Sequence, residues 1–140
     1  MDAFEAISLP EPSASSDKRY FTVAEANRAL VLVRRVVADI VNNYRELCQL
    51  RDSYQLKSQV AGTDAAEQTR RRYIDLADRL SELRIELDAI GCELKDFEMG
   101  LVDFPSRRHG REVYLCWKLG EQAIAYWHDT KSGYDSRKPL

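Results

Sequence analysis

Apolar residues recur at Val23, Ala26, Leu30, Val33, Val37, Ile40, Tyr44, Leu47 and Tyr54, in steps of three and four interrupted only at Arg51. This spacing gathers them on one face of a helix and defines a heptad seam reaching about Gln59, roughly 55 Å at ~1.5 Å per residue. Thr22 and Glu25 form a capping box at its start, the hydroxyl and the carboxylate each satisfying a free backbone N–H. A second seam follows at Tyr73, Leu76, Leu80, Leu83, Leu87 and Ile90. Between the two, Ala61-Gly62-Thr63-Asp64 supplies a break and a new N-cap, and Gly91 closes the second helix. A short connection between seams of matching period dictates an antiparallel, coiled-coil-like hairpin over 22–90.

The helical period stops at Gly91. Leu101–Pro105 reads as a short strand, Ser106–Gly110 as a polar turn, Glu112–Leu119 as a second strand and Gln122–His128 as its hairpin partner after a compact Gly120-Glu121 turn. The fold class is therefore α+β, a long antiparallel helical hairpin with a small C-terminal antiparallel β-sheet. At 140 residues the chain suits one domain over 19–140: the hairpin, a β-rich block at 91–128 and an extended tail at 129–140. Residues 1–18, acidic and rich in Pro and Ser, read as a flexible tail without the basic start and apolar run of a signal peptide.

The net charge of −2 gives no global attraction to nucleic acid or to an anionic membrane, and no segment has the ~18 apolar residues of a membrane span. Residues 22–60 carry +2 and residues 64–90 carry −2, so the two helices suit each other as neighbours. The first helix is the longer. Its overhanging seam requires cover from the C-terminal block or from a second copy, and the second option makes the protein a homodimer. Cys48, Cys92 and Cys116, an odd number at unrelated spacings, read as reduced thiols of a cytoplasmic protein.

Several short motifs carry a family resemblance. They are Phe21-Thr22 with Glu25-Ala26-Asn27, Glu93-Leu94-Lys95-Asp96, Gly100 to Pro105, Gly110 to Trp117, Leu119-Gly120-Glu121, Tyr126-Trp127-His128 and the terminal Pro139-Leu140. From about Tyr20 onward the chain resembles a bacterial family, domain of unknown function 2203. That resemblance implies no established activity, cofactor or substrate. Phe97 and Met99 stand where smaller residues are expected, and His109 where an acidic turn residue is expected.

The chemistry-bearing residues lie in the 91–128 block. His128 with Glu93, Asp96, Asp103 and Cys116 offers nitrogen, oxygen and sulfur donors for a divalent metal such as zinc or iron. Hairpin register decides whether they meet. A two-residue loop pairs Cys116 with Ala125 and sets His128 opposite Val113, whereas a three-residue loop, Gly120–Gln122, puts Tyr114, Cys116, Tyr126 and His128 on one face. Paired with His128, Cys116 could also act as a nucleophile, against the plainer reading of a core cysteine. Asp96, Glu98 and Asp103 could serve as acid and base, against solvated turn residues.

Arg107, Arg108 and Arg111, with Trp117 and Trp127 nearby, could hold a phosphate or stack a base, against a solvated turn and ordinary sheet packing. Arg70-Arg71-Arg72 points three ways on a helix and reads as a solvated face. The leading function is a binding or scaffold protein, assembled through its hairpin and meeting a protein or small-molecule partner through 91–128. A metal-dependent hydrolase using His128 and carboxylates is the alternative, and nucleic-acid binding through the three arginines is weaker still.

Overall fold

The computed structural model describes residues 18–60 and 63–140. Of the tail expected over 1–18, residues 1–17 lie outside the described residues, as does the helix break at Ala61-Gly62, while Lys18 is placed and bonds Tyr114. Helix α1 spans Val23–Val60 and α2 spans Thr63–Ile90. The capping box forms as the sequence dictates: Thr22 N–H donates to Glu25 Oε1 at 3.0 Å and Glu25 N–H to Thr22 Oγ1 at 3.1 Å. Ala26, Leu30, Val33, Val37, Ile40 and Leu47 of α1 are buried with Tyr73, Leu76, Leu80, Leu83 and Leu87 of α2, so the two seams make one core. Across the hairpin, Arg72 bonds Glu46 at 3.2 Å. No helix among the described residues is long and apolar enough to cross a membrane.

Gly91, at φ +108, stops α2 in a conformation that side chains rarely adopt. Five antiparallel strands follow in chain order: β1 Glu93–Asp96, β2 Leu101–Arg108, β3 Arg111–Lys118, β4 Tyr126–Asp129 and β5 Lys138–Pro139. Alternation along them sorts two faces. Leu94, Val102, Phe104, Leu115 and Trp117 join the helical core. Gly100 allows the close approach, since a Cβ there would lie 2.9 Å from Val37 and from Leu119.

Several boundaries differ from the sequence reading, each for a local reason. The stretch Ser106–Gly110, read as a turn, continues β2 to Arg108. The turn is His109-Gly110 alone, with φ of +51 and +78, the geometry of a type I′ hairpin. Pro105 is tolerated because its carbonyl accepts from Phe21 N–H at 2.7 Å, while Ser106 Oγ donates to Phe21 O at 2.6 Å. β4 begins at Tyr126 rather than Gln122. Ile124 dips into the core and its N–H donates to Asn27 Oδ1 at 2.8 Å, while Gln122 O accepts from Arg34, so the segment before Tyr126 serves the helix instead of the sheet. The C-terminal residues bend through a 3-10 turn at Tyr134–Ser136 and return as β5.

Candidate functional site

Tyr114 pairs with His128 and Cys116 with Tyr126, the register of the longer of the two loops considered. Cys116 also pairs with Asp103 across β2, and Asp103 with Glu93 across β1. Glu93, Asp103, Cys116, Tyr114 and His128 therefore share the face turned away from the helices. A sheet this small ordinarily leaves such a face to water. Here it is covered: Asp103 is 4% exposed, Cys116 1% and His128 2%.

The cover comes from both ends of the described chain. Lys18 donates to the Tyr114 hydroxyl at 3.1 Å. From the other side, Arg137 grips Glu121 at 2.5 and 3.0 Å and lies over the rings of Tyr126 and Tyr134. Burial opposes the Glu121 charge, but Arg137 and the Lys118 N–H outweigh it and hold the carboxyl below its ordinary range.

At the centre, His128 Nε2 lies 3.0 and 3.1 Å from the two oxygens of Asp103, and Nδ1 lies 2.8 Å from the carbonyl of Asp129. A carbonyl and an ionised carboxylate only accept, so a ring making both bonds donates from both nitrogens and is an imidazolium. Burial alone would favour the neutral ring. The Asp103 carboxylate, with Cys116 and the Asp129 carbonyl, outweighs it and raises the histidine to about 10.

Donor atoms of Asp103, Cys116 and His128, one from each, all lie within 4.8 Å of one another. They adjoin a cavity of 240 Å³ lined also by Lys95, Leu101, Tyr114, Thr130, Ser132, Gly133 and Tyr134. Larger cavities of 370, 460 and 470 Å³ elsewhere gather no such trio among the described residues.

The other sequence candidates fall into separate roles. Glu93 is buried beside Asp103, with Oε1 bonded to Lys95 at 3.0 Å and Oε2 without a hydrogen-bond partner. Asp96 is apart from the trio. Its Oδ1 accepts from the N–H groups of Glu98 and Met99 at 2.7 and 2.9 Å and so shapes the β1–β2 turn. Asp103 lies in the strand expected at Leu101–Pro105, but it is buried rather than solvated.

The arginines are each engaged within the chain: Arg107 over Tyr20, Arg108 over Trp127 and Arg111 with Asp129 at 2.8 Å. Trp117, proposed as a stacking platform, is fully buried and its indole N–H donates to Glu121 O at 3.0 Å. Trp127 is half-buried between Arg108 and Lys138. Cys92 is a structural thiol, pushed up to about 12 by burial. Sequence reasoning missed Lys18, Lys95 and the Arg137–Glu121 clasp.

Nucleophilic catalysis by a thiol–imidazole–carboxylate relay needs the thiol on one ring nitrogen and the carboxylate on the other. Nδ1 is occupied by a main-chain carbonyl and Nε2 by Asp103, so the relay is not assembled. Metal-ligating histidines have their second ring nitrogen held by a carbonyl or carboxylate, and Nδ1 of His128 meets the Asp129 carbonyl.

Fold and site together define an α+β protein with a buried polar cluster on the sheet face turned away from the helices. The chain belongs to a family described as an uncharacterized conserved protein, DUF2203, whose model matches residues 19–140. Neither the curated proteins nor the solved structures contain a match to it.

Proposed function

We propose that the protein is a divalent-metal-binding protein of the cytoplasm, in which Asp103, Cys116 and His128 hold zinc or ferrous iron and the surrounding 91–128 block meets a ligand. The carrying observation is the convergence of three buried donors from three adjacent strands. Two metal bonds of about 2.1 Å at a tetrahedral angle set nitrogen and oxygen about 3.4 Å apart, so the present 3.0 Å needs only a small adjustment. Charge also balances. Binding M²⁺ requires the neutral imidazole and the thiolate, so about two protons leave as two positive charges enter and the buried site gains no net charge. The free thiols fit a reducing compartment.

Titration of the metal-free protein with Zn²⁺ or Fe²⁺ tests this reading. One ion should bind per chain with release of about two protons, and elemental analysis of native protein should find it. Losing a ligand should lower affinity by more than the roughly 10–100-fold typical of outer-shell partners. Cys116→Ser is the informative variant, because it leaves the His128–Asp103 ion pair in place. Absence of stoichiometric binding by the folded protein would overturn the proposal.

A further inference from the structure

Three protein ligands leave a four-coordinate ion with one exchangeable position, the feature that separates a reactive or receptive centre from a purely structural one. The donors of this site adjoin the 240 Å³ cavity, below the roughly 300–1,000 Å³ of pockets that enclose drug-sized ligands. The occupant is therefore small. Its charge follows from the lining. Lys95 stands at the irregularity in β1, between Leu94 and Asp96, and has no partner on β2. That frees its side chain to lie over the Tyr114 ring, 5.5 Å from the centroid, with the ammonium also bonded to Glu93. An ammonium has three donors. One is taken by Glu93, and the cavity that Lys95 lines is also lined by the hydroxyl-bearing residues Tyr114, Thr130 and Tyr134, while the Ser132 hydroxyl donates to Asp129 O.

A second observation is the unpartnered Oε2 of Glu93, a buried carboxylate oxygen directly across from Asp103. Buried polar atoms without partners are rare, and each calls for a donor.

Resting on the metal reading, we propose that the cavity receives a small oxyanion, a carboxylate or phosphate group. The anion takes the ion's exchangeable position and pairs with Lys95. Recognition would combine the ion and one ammonium, with Glu93 restraining Lys95 until the anion arrives.

The test uses the full chain loaded with Co²⁺, whose visible spectrum reports changes at the metal, titrated with inorganic phosphate in one arm and acetate in the other. A saturable spectral change in either arm, absent from metal-free protein, supports the proposal and identifies the preferred oxyanion. Lys95→Met should weaken that binding about tenfold or more while leaving Co²⁺ affinity within about threefold. Glu93→Gln should retain the metal and tighten the anion, because it releases Lys95. Tight Co²⁺ binding with no response to either anion would overturn this inference and leave the metal reading intact. A large loss of metal affinity in Glu93→Gln would overturn it too, by showing that Glu93 fills the remaining position. Failure to bind Co²⁺ at all would remove both.

Discussion

His128 meets a hydrogen-bonding oxygen at each ring nitrogen, and that ties its charge to the folded state. In the unfolded chain it titrates near its ordinary 6.5, and in the folded metal-free protein near 10. The folded state therefore binds more protons between those values. The stabilisation is fully present below about 6.5 and is lost as pH rises through about 10, with a slope of at most about 1.4 kcal/mol per pH unit. Urea unfolding of metal-free protein at pH 6, 8 and 10 should show declining stability, and His128→Gln should flatten the decline. An unchanged slope in the variant would assign the titration elsewhere.

The residue types of this centre were legible in the sequence, but the environment of Asp103 was not. The strand over Leu101–Pro105 was expected, but its outward face would ordinarily be solvated. The useful signal was the alternation of Asp103 with Val102 and Phe104, which sends the carboxylate to the opposite face from the core. Whether that face was wet or covered depended on Lys18 and on residues 130–137, both distant in the chain.

At the scale of elements, the helices were readable because a period of three and four residues persists over many turns, and the cap at Thr22 is a local motif with local geometry. Thr22→Ala should cost about 1 kcal/mol in chemical denaturation, the usual worth of an N-cap. β1 was not readable. It has four residues, an irregular register at Lys95 and a turn-forming aspartate at its end, and so offers no alternation to detect. The C-terminal segment gave no apolar signal either, because it is held by an ion pair and stacked rings rather than by buried aliphatics. Removing that clasp with Arg137→Ala should cost about 1.5–3 kcal/mol, the range for hydrogen bonds to charged groups. Amide exchange should then quicken along β4 and β5 before the helices respond, whereas uniform acceleration would mean that the clasp has no local role.

For the whole molecule, the sheet already covers part of the α1 seam: Val37 and Val41 face Gly100, and Ile40 is fully buried. Among the exposed aliphatics Val23 opens that seam, whereas Val31, Leu32, Leu56 and Ile85 lie outside it. Self-association through the hairpin is a proposal that these side chains would have to carry. Sedimentation equilibrium of the full chain tests it. The mass of two chains, reduced to one by Leu32→Glu with Ile85→Glu, supports the dimer, and a single-chain mass at all concentrations removes it.

The sheet order repeats the chain order, with strands joined by connections at 97–100, 109–110, 119–125 and 130–137. Each pairing closes only a short loop, while the Phe21–Pro105 and Lys18–Tyr114 bonds bring together residues more than eighty positions apart. Local closures form quickly and distant ones wait on chain search. Refolding followed by Trp117 fluorescence should therefore report a late docking of the sheet onto α1, with the strands that carry Asp103, Cys116 and His128 already in register before the molecule acquires its final core.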